Sequence, residues 1–495
     1  MRIVEIVLAK LHNRKKFCGI ALFCTLTAMA SQAQTLTTLA TFNGANGSQP
    51  LGIIQGFDGN FYGTTLNGGT QNEGTAFKIT PGGVLTTLHS FCLTGCLGGW
   101  WPEGRLTQAG NGDFYGPTDT GGTFGGGVIY RMTSAGAYVV LYNFCSQPNC
   151  ADGIGPISVI QAGNGRLYGT TYGYRTNSTD LGTVFELSLG GSLTTLHTFT
   201  GPDGSNPIGA MLQASNGNLY GTTSEGGSST TCPYDPFIGC GTVFQITPSG
   251  KFTTLHVFDG SDGALPGYGG SLIEGTDGNL YGTATDGGAS PLCTSGCGTI
   301  FKISPAGKFT TLYNFCSQPN CADGSTPVES LVQGTDGNIY GTTVEGGNSN
   351  SGGTIFSITP QGVLTTLYDF CSQPNCADGL GPEAALIQST DGNFYGTAEW
   401  SGTNNSGTIF RLSMGLGPFV KLVQDAGKVG QTIGIYGQGL TGTTGVFLNG
   451  TPASFKVLSD TLMRAIVPSG ATTGFVTVET PGGTLKSNMA FRVIP

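Results

Sequence analysis

The chain predicts an all-β protein: a seven-bladed β-propeller closed by its own N-terminal strand, followed by a small β-sandwich. Three observations predict it. An aromatic-glycine strand, first seen as Asn60-Phe-Tyr-Gly-Thr-Thr65, recurs with its tyrosine at Tyr62, Tyr115, Tyr168, Tyr220, Tyr281, Tyr340 and Tyr395, at intervals of 53, 53, 52, 61, 59 and 55 residues. A period of this length, built from strand formers and glycine turns, belongs to propeller blades rather than helical solenoids. Glycine is 86 of 495 residues and charged residues are 10%, against about 7% and about 25% in ordinary domains. Aromatic residues at 10% and the strict period argue against disorder. Finally, a fourth-strand segment stands once ahead of the first complete repeat and is missing from the last.

Residues 1–33 read as an export signal and stand outside the fold. Arg2, Lys10, Arg14, Lys15 and Lys16 precede an apolar run from Phe17 to Leu26, and small residues at Ala28, Ala30 and Ala33 offer cleavage sites. No later apolar run approaches the ~18 residues needed to cross a bilayer. The expectation is a secreted or cell-surface protein with no membrane span after signal removal. Removing five basic groups and one acid, Glu5, moves the net charge from −9 to −13. A sparse acidic surface repels nucleic acid and anionic lipid, which excludes both as partners.

Residues 35–415 carry the repeats. Each opens with a short apolar strand, such as Ser330-Leu-Val-Gln333, then an Asp-Gly-Asn type turn that supplies positive φ for a tight hairpin. The tyrosine strand follows, then a variable glycine-rich loop, a third strand such as Gly182-Thr-Val-Phe185, and a fourth such as Leu85-Thr-Thr-Leu-His-Ser-Phe91. The fourth strand occurs at 36–42, 85–91, 138–144, 193–199, 252–258, 309–315 and 364–370, so its first copy completes the seventh blade. That offset removes two open sheet edges. Tyrosines and third-strand aromatics (Phe77, Tyr130, Phe185, Phe244, Phe301, Phe356, Phe410) used in every blade are blade-to-blade core rather than ligand platforms. Glycine after each tyrosine fits a close approach of neighbouring backbone.

These motifs carry a resemblance. Asp336-Gly-Asn-Ile-Tyr-Gly-Thr-Thr343, Gly353-Thr-Ile-Phe356 and Leu364-Thr-Thr-Leu367 resemble the GloVer tandem-repeat proteins of bacteria over residues 35–415. That family is defined by its repeat and implies no activity. The blade is more distantly similar to streptogramin-lyase-type propellers, whose chemistry depends on histidine. After a linker, Gly415-Leu-Gly-Pro418, alternating strands at Thr432-Ile-Gly-Ile-Tyr436, Val446-Phe-Leu448, Arg464-Ala-Ile-Val467 and Phe475-Val-Thr-Val478 suggest the β-sandwich. Residues 417–495 resemble an IPT/TIG immunoglobulin-like domain at Gly437-Gln-Gly-Leu440, Val446-Phe-Leu-Asn-Gly-Thr-Pro-Ala453 and Val467-Pro-Ser-Gly-Ala471. The resemblance implies a spacer or adhesion role.

Little in the chain points to catalysis. The three histidines that survive maturation, His89, His197 and His256, share one fourth-strand position on the outer rim and cannot converge. This removes Ser-His-Asp triads and histidine metal sites. Twelve cysteines form six close pairs: Cys92/Cys96, Cys145/Cys150, Cys232/Cys240, Cys293/Cys297, Cys316/Cys321 and Cys371/Cys376. In an exported chain these read as local disulfides. Zinc would need four convergent ligands, and the pairs are expected to stand apart. No cofactor is implied.

One face gathers the variable loops, all twelve cysteines and most loop charges. Asp152, Asp203, Asp262, Asp323 and Asp378 recur in Asp-Gly-x-x-Pro. The motif reads first as turn chemistry, with an acidic ring for an ion as the alternative. Trp100, Trp101 and Trp400 break the repeat pattern on blades 1, 2 and 7. They are candidates for a glycan-binding cluster, with local loop packing as the alternative. The expected function is a non-catalytic exported scaffold that binds an extracellular glycan or surface protein. The alternative is a carbohydrate-active enzyme with paired carboxylates on the loop face.

Overall fold

The computed structural model describes residues 34–92, 95–173, 180–227, 232, 239–267, 270–348 and 351–494; the export-signal segment lies outside them. Among the described residues the helical elements are three single 3₁₀ turns, and the rest of the regular structure is strand. No helix among the described residues is long and apolar enough to cross a membrane.

Each repeat folds as one antiparallel sheet with its strands in sequential order. In repeat 3 the strands are Pro156–Gln161, Leu167–Thr171, Thr183–Leu187 and Leu193–Thr198. Repeat 7 supplies Ile387–Gln388, Phe394–Ala398 and Thr408–Ser413, and its fourth strand is Thr35–Thr41 from the other end of the chain. Thr35 lies opposite Ser413 and Thr41 opposite Thr408.

Consecutive sheets share a core. The phenylalanine ending each fourth strand meets the third-strand aromatic of the next repeat at 5.1–5.4 Å: Phe91 with Tyr130, Phe144 with Phe185, Phe199 with Phe244, Phe258 with Phe301, Phe315 with Phe356 and Phe370 with Phe410. Phe42 makes the same contact with Phe77 at 5.1 Å, so the last sheet packs on the first. All seven repeat tyrosines are at most 2% exposed. Tyr62 packs 4.2 Å from Phe114, and Tyr395 4.2 Å from Phe61. Sevenfold use of these aromatics is therefore core packing, in a propeller-like arrangement of sheets.

The glycine after each tyrosine faces the third-strand ring, and in repeats 1 and 3 a backbone carbonyl as well. A Cβ at Gly63 would stand 2.3 Å from the Gly52 carbonyl oxygen and 2.7 Å from Phe77 Cζ; at Gly169 the values are 2.2 Å to the Ser158 carbonyl oxygen and 2.6 Å to Phe185 Cζ. No side chain fits there.

The tail forms two sheets. One holds Lys421–Leu422, Thr432–Tyr436, Phe455–Ser459 and Leu462–Ile466; the other Ala426–Lys428, Gly445–Leu448, Thr451–Pro452, Gly474–Thr480 and Gly483–Ile494. Ile433, Ile435, Val446, Met463, Val476, Val478 and Phe491 form the core between them. This unit sits against the end of the repeat region where the first strands turn into the second. Phe419 N–H donates to the Thr390 carbonyl at 3.0 Å, and Tyr436 packs 5.2 Å from Phe57. Leu422, Val423, Gln424 and Asp425 line a groove with Ile160, Gln161, Met211 and Gln213. The tail thereby lies across the lower ends of the innermost strands.

Six disulfides join the expected pairs, Cys92–Cys96, Cys145–Cys150, Cys232–Cys240, Cys293–Cys297, Cys316–Cys321 and Cys371–Cys376. One expectation is corrected. Cys293/Cys297 and Cys316/Cys321 do not stand apart: their sulfurs all lie within 4.8 Å of one another, with Cys293 Sγ 3.7 Å from Cys316 Sγ. The first pair lies in the loop before the third strand of repeat 5 and the second just after its fourth strand. Pairing of Thr299–Ile303 with Phe309–Asn314 brings the two loops together.

Candidate functional site

Strand order sends the loops between repeats, and those joining second to third strands, to the end opposite the tail. The first strand of each repeat starts at this upper end and runs down the inside. Residues on its first turns, and those just past the second strand, therefore surround the upper mouth.

Two repeats bring carboxylates together there in the same way. In repeat 7 the Gly381 carbonyl accepts from the amides of both Glu383 (2.8 Å) and Glu399 (2.9 Å). In repeat 2 the Trp101 carbonyl accepts from Glu103 (2.8 Å) and Asp119 (3.0 Å). One carbonyl thus clamps an acid just ahead of the first strand beside an acid just past the second.

The repeat 7 pair is the tighter. Glu399 is 5% exposed, accepts from Gln49 Nε2 at 2.8 Å, and shares a hydrogen bond with Glu383. Burial, then the neighbouring Glu383, push its carboxyl up to about 9. Two carboxyls in hydrogen-bond contact hold one proton between them, because both cannot ionise so close together. Burial also raises the Asp119 carboxyl, which Tyr172 partly opposes. Asp286 is raised to about 6 by burial and by Glu345.

Deeper in lie Glu329 and Arg105. Burial pushes Glu329 up to about 8, against the pull of Arg105 and of amide hydrogen bonds from Ser330 and Ala385. Its Oε2 and the Arg105 Nε are both buried without a hydrogen-bond partner. Below them the tail presents Lys421, which burial lowers to about 8.

The three tryptophans share this end. Trp101 is 41% exposed and Trp400 44%. Trp101 is two residues from Glu103, Trp400 adjoins Glu399, and the Trp400 ring stands over Gly381. Trp100 lies 6.2 Å from Trp101, more enclosed, with its Nε1 buried and unpartnered.

The repeated aspartates are placed differently. Asp152, Asp323 and Asp378 are fully buried. Each accepts from a fourth-strand tyrosine hydroxyl and from the following serine and glutamine amides; Tyr368 reaches Asp378 at 2.8 Å and Ser372 N–H at 3.0 Å. In repeats 3 and 4 histidine replaces tyrosine: His197 meets Asp203 at 2.9 Å and His256 meets Asp262 at 2.7 Å. These acids tie fourth strands to the loops that follow them, and their lone pairs are used within their own turns. Among the described residues, the group of three or more ligand-type side chains within 4.8 Å of one another is the cysteine quartet of repeat 5.

Arg105, Glu329, Glu383 and Glu399 went unnoticed in the sequence, though a signal exists. The residue before the buried apolar residue of each first strand is Gly52, Arg105, Ser158, Ala210, Ser271, Ser330 and Ala385. Six are small and one is arginine. A residue that breaks a symmetric pattern is explained by function more readily than one that keeps it.

The buried acids Glu329 and Glu399 make stability fall with rising pH. Glu329 and Glu399 stay protonated in the folded chain to about pH 8 and 9, whereas unfolded they ionise near 4.5. From pH 4.5 upward the folded state holds more protons, so stability is lost as pH rises through that window. Thermal melts should give a Tm several degrees higher at pH 5 than at pH 9. Glu399→Gln, which mimics the protonated acid, should flatten the decline. A Tm rising over this range would mean the pair is ionised in the fold.

A propeller-like repeat protein with a carboxyl-lined upper mouth is the class these features define. The chain belongs to the Gloeobacter/Verrucomicrobia repeat family, whose model matches residues 24–233, 145–352 and 294–452. No curated protein matches it. Among solved structures, virginiamycin B lyase from Staphylococcus aureus is similar at 16% identity and a TM-score of 0.47, covering 77% of this chain and 98% of that one. The extracellular domain of a hybrid two-component system from B. thetaiotaomicron is similar at 12% identity and a TM-score of 0.47, covering 94% of this chain and 60% of that one.

Proposed function

We propose that this is an exported seven-bladed propeller (35–415) with an IPT/TIG-like immunoglobulin domain (417–495), released from a signal at 1–33, that binds a carbohydrate at its upper mouth. One observation carries the reading: at the same end of the ring two half-exposed indoles each adjoin a pair of acids, Trp400 beside Glu383–Glu399 and Trp101 beside Glu103 and Asp119. Sugars present apolar ring faces that stack on indoles and hydroxyls that bond to carboxyls, and this mouth offers both groups side by side. The tail, lying across the other end, leaves the upper mouth as the route in. Six disulfides fit an oxidising, extracellular setting.

The mature protein on a glycan array should retain a defined set of glycans. Trp101→Ala with Trp400→Ala should weaken that binding about 10- to 100-fold, on the order of 1 kcal/mol or more per ring, with the melting temperature little changed. Unchanged binding with a large loss of stability would mean the indoles pack loops instead.

A second reading, a carbohydrate-active enzyme, is favoured by the same carboxyl pair. Glu399, held protonated above neutral pH, supplies the acid that glycoside cleavage needs; Glu383, in hydrogen-bond contact with it, is closer than the ~5 Å of a retaining pair, so the second carboxylate would be another acid of the mouth. Release of reducing ends from a retained glycan, abolished by Glu399→Gln, decides for it; binding without turnover decides for the scaffold.

A further inference from the structure

Arg105 is the one charged residue at a level where the other six repeats carry glycine, alanine or serine. Small neighbours make room for it: a Cβ at Gly52 would lie 3.5 Å from Ala384 Cβ and 3.8 Å from Arg105 Nε. Its guanidinium is nonetheless poorly served. Nε is buried with no hydrogen-bond partner, and among the described residues no carboxylate forms an ion pair with it within 4 Å. Arginine does not shed its proton in proteins, so burial leaves a fixed cation with donors to fill. The acid facing it, Glu329, also has an unpartnered buried oxygen. Ser158 Oγ, at the same level in repeat 3, is unpartnered too. Lys421 from the tail adds a second cation nearby, with Asp391 beside it, and Glu383 acts on Glu329 from above. Three unsatisfied polar groups at one level mark a place that a ligand completes, since buried polar atoms are nearly always paired.

We infer that Arg105, with Glu329 and Ser158 Oγ, binds the carboxylate of an acidic sugar. This deepens the carbohydrate reading and rests on it. The planar fork of arginine matches a carboxylate with two parallel N–H···O bonds. Because Glu329 is neutral to about pH 8, it adds an O–H donor rather than a repelling charge. The tryptophans at the rim hold the sugar rings, while the level below reads their charge. A neutral glycan would leave the guanidinium unpaired, and that loss sets the selectivity.

A uronic-acid oligosaccharide and its methyl ester separate the two contributions, since the ester keeps the rings and removes the charge. By calorimetry at pH 7, the intact mature protein should bind the acid form at least about 10-fold more tightly than the ester. Arg105→Gln should bind both forms with the weaker affinity. Arg105→Lys, which keeps a charge but not the fork, should fall between. Equal binding of acid and ester by the unaltered protein overturns the inference without variants. A preference that survives in Arg105→Gln, or a sulfated oligosaccharide bound in place of the uronate, overturns it too. Binding of neither form while neutral glycans bind overturns the charge reading alone; no glycan bound at all overturns the carbohydrate reading beneath it.

Discussion

Deleting residues 35–42 should abolish cooperative folding of the repeat region. The segment supplies an entire edge strand, paired from Thr35–Ser413 to Thr41–Thr408, and ends in Phe42, which is fully buried between Phe77, Ile53 and Tyr395. Burying one phenylalanine is worth about 3–5 kcal/mol against alanine, a large part of a typical domain's 5–15 kcal/mol. Losing the strand also exposes the Thr408–Ser413 edge, which would invite pairing between chains. Thermal unfolding and light scattering on the truncated chain test this. Deleting 417–495 is the control: it should leave the repeats folded, because the tail has its own core. A normal melt without residues 35–42 would end the closure argument.

Gly169→Ala should destabilise the fold strongly for a single added methyl group. Its Cβ would stand 2.2 Å from the Ser158 carbonyl oxygen, far inside contact, with backbone on one side and the buried Phe185 ring on the other. Neither can swing away as a surface side chain could. Overpacking of this kind costs about 1–3 kcal/mol or more, and alanine at the exposed Gly190, whose Cβ would meet nothing nearer than Ser188 Oγ at 3.7 Å, should cost far less. Denaturant melts compare the two. Equal, small losses would show that the sheet yields at this point.

The repeat period, strand order and N-terminal closure strand were legible because each position is written seven times. Seven copies of Tyr62 or Phe77 average out local noise and expose the pattern of a shared core. The same redundancy hid the site. Reading by symmetry favours what recurs, and it singled out the aspartates of Asp-Gly-x-x-Pro. In the structure Asp152 and Asp378 spend their lone pairs within their own turns. The groups converging at the upper mouth, Arg105, Glu329, Glu383 and Glu399, occur once each. No spacing rule links Glu329 to Arg105, which are 224 residues apart and meet because the sheets of repeats 2 and 6 both contribute to the inner level. The tryptophans drew attention because they broke the pattern, and the same test on the first strands would have singled out Arg105. The cysteine quartet was missed because pairs were judged by sequence spacing, while strand pairing sets which loops meet.

The central claim is that the upper mouth, between Trp101 and Trp400, is where this protein meets a carbohydrate. A crystal structure with a glycan selected on the array tests it most directly. The account predicts sugar rings against Trp101 and Trp400, with a hydroxyl on Glu383 or Glu399. A glycan seated on the tail or on the outer edge of the sheets, with both indoles uncovered, would contradict it.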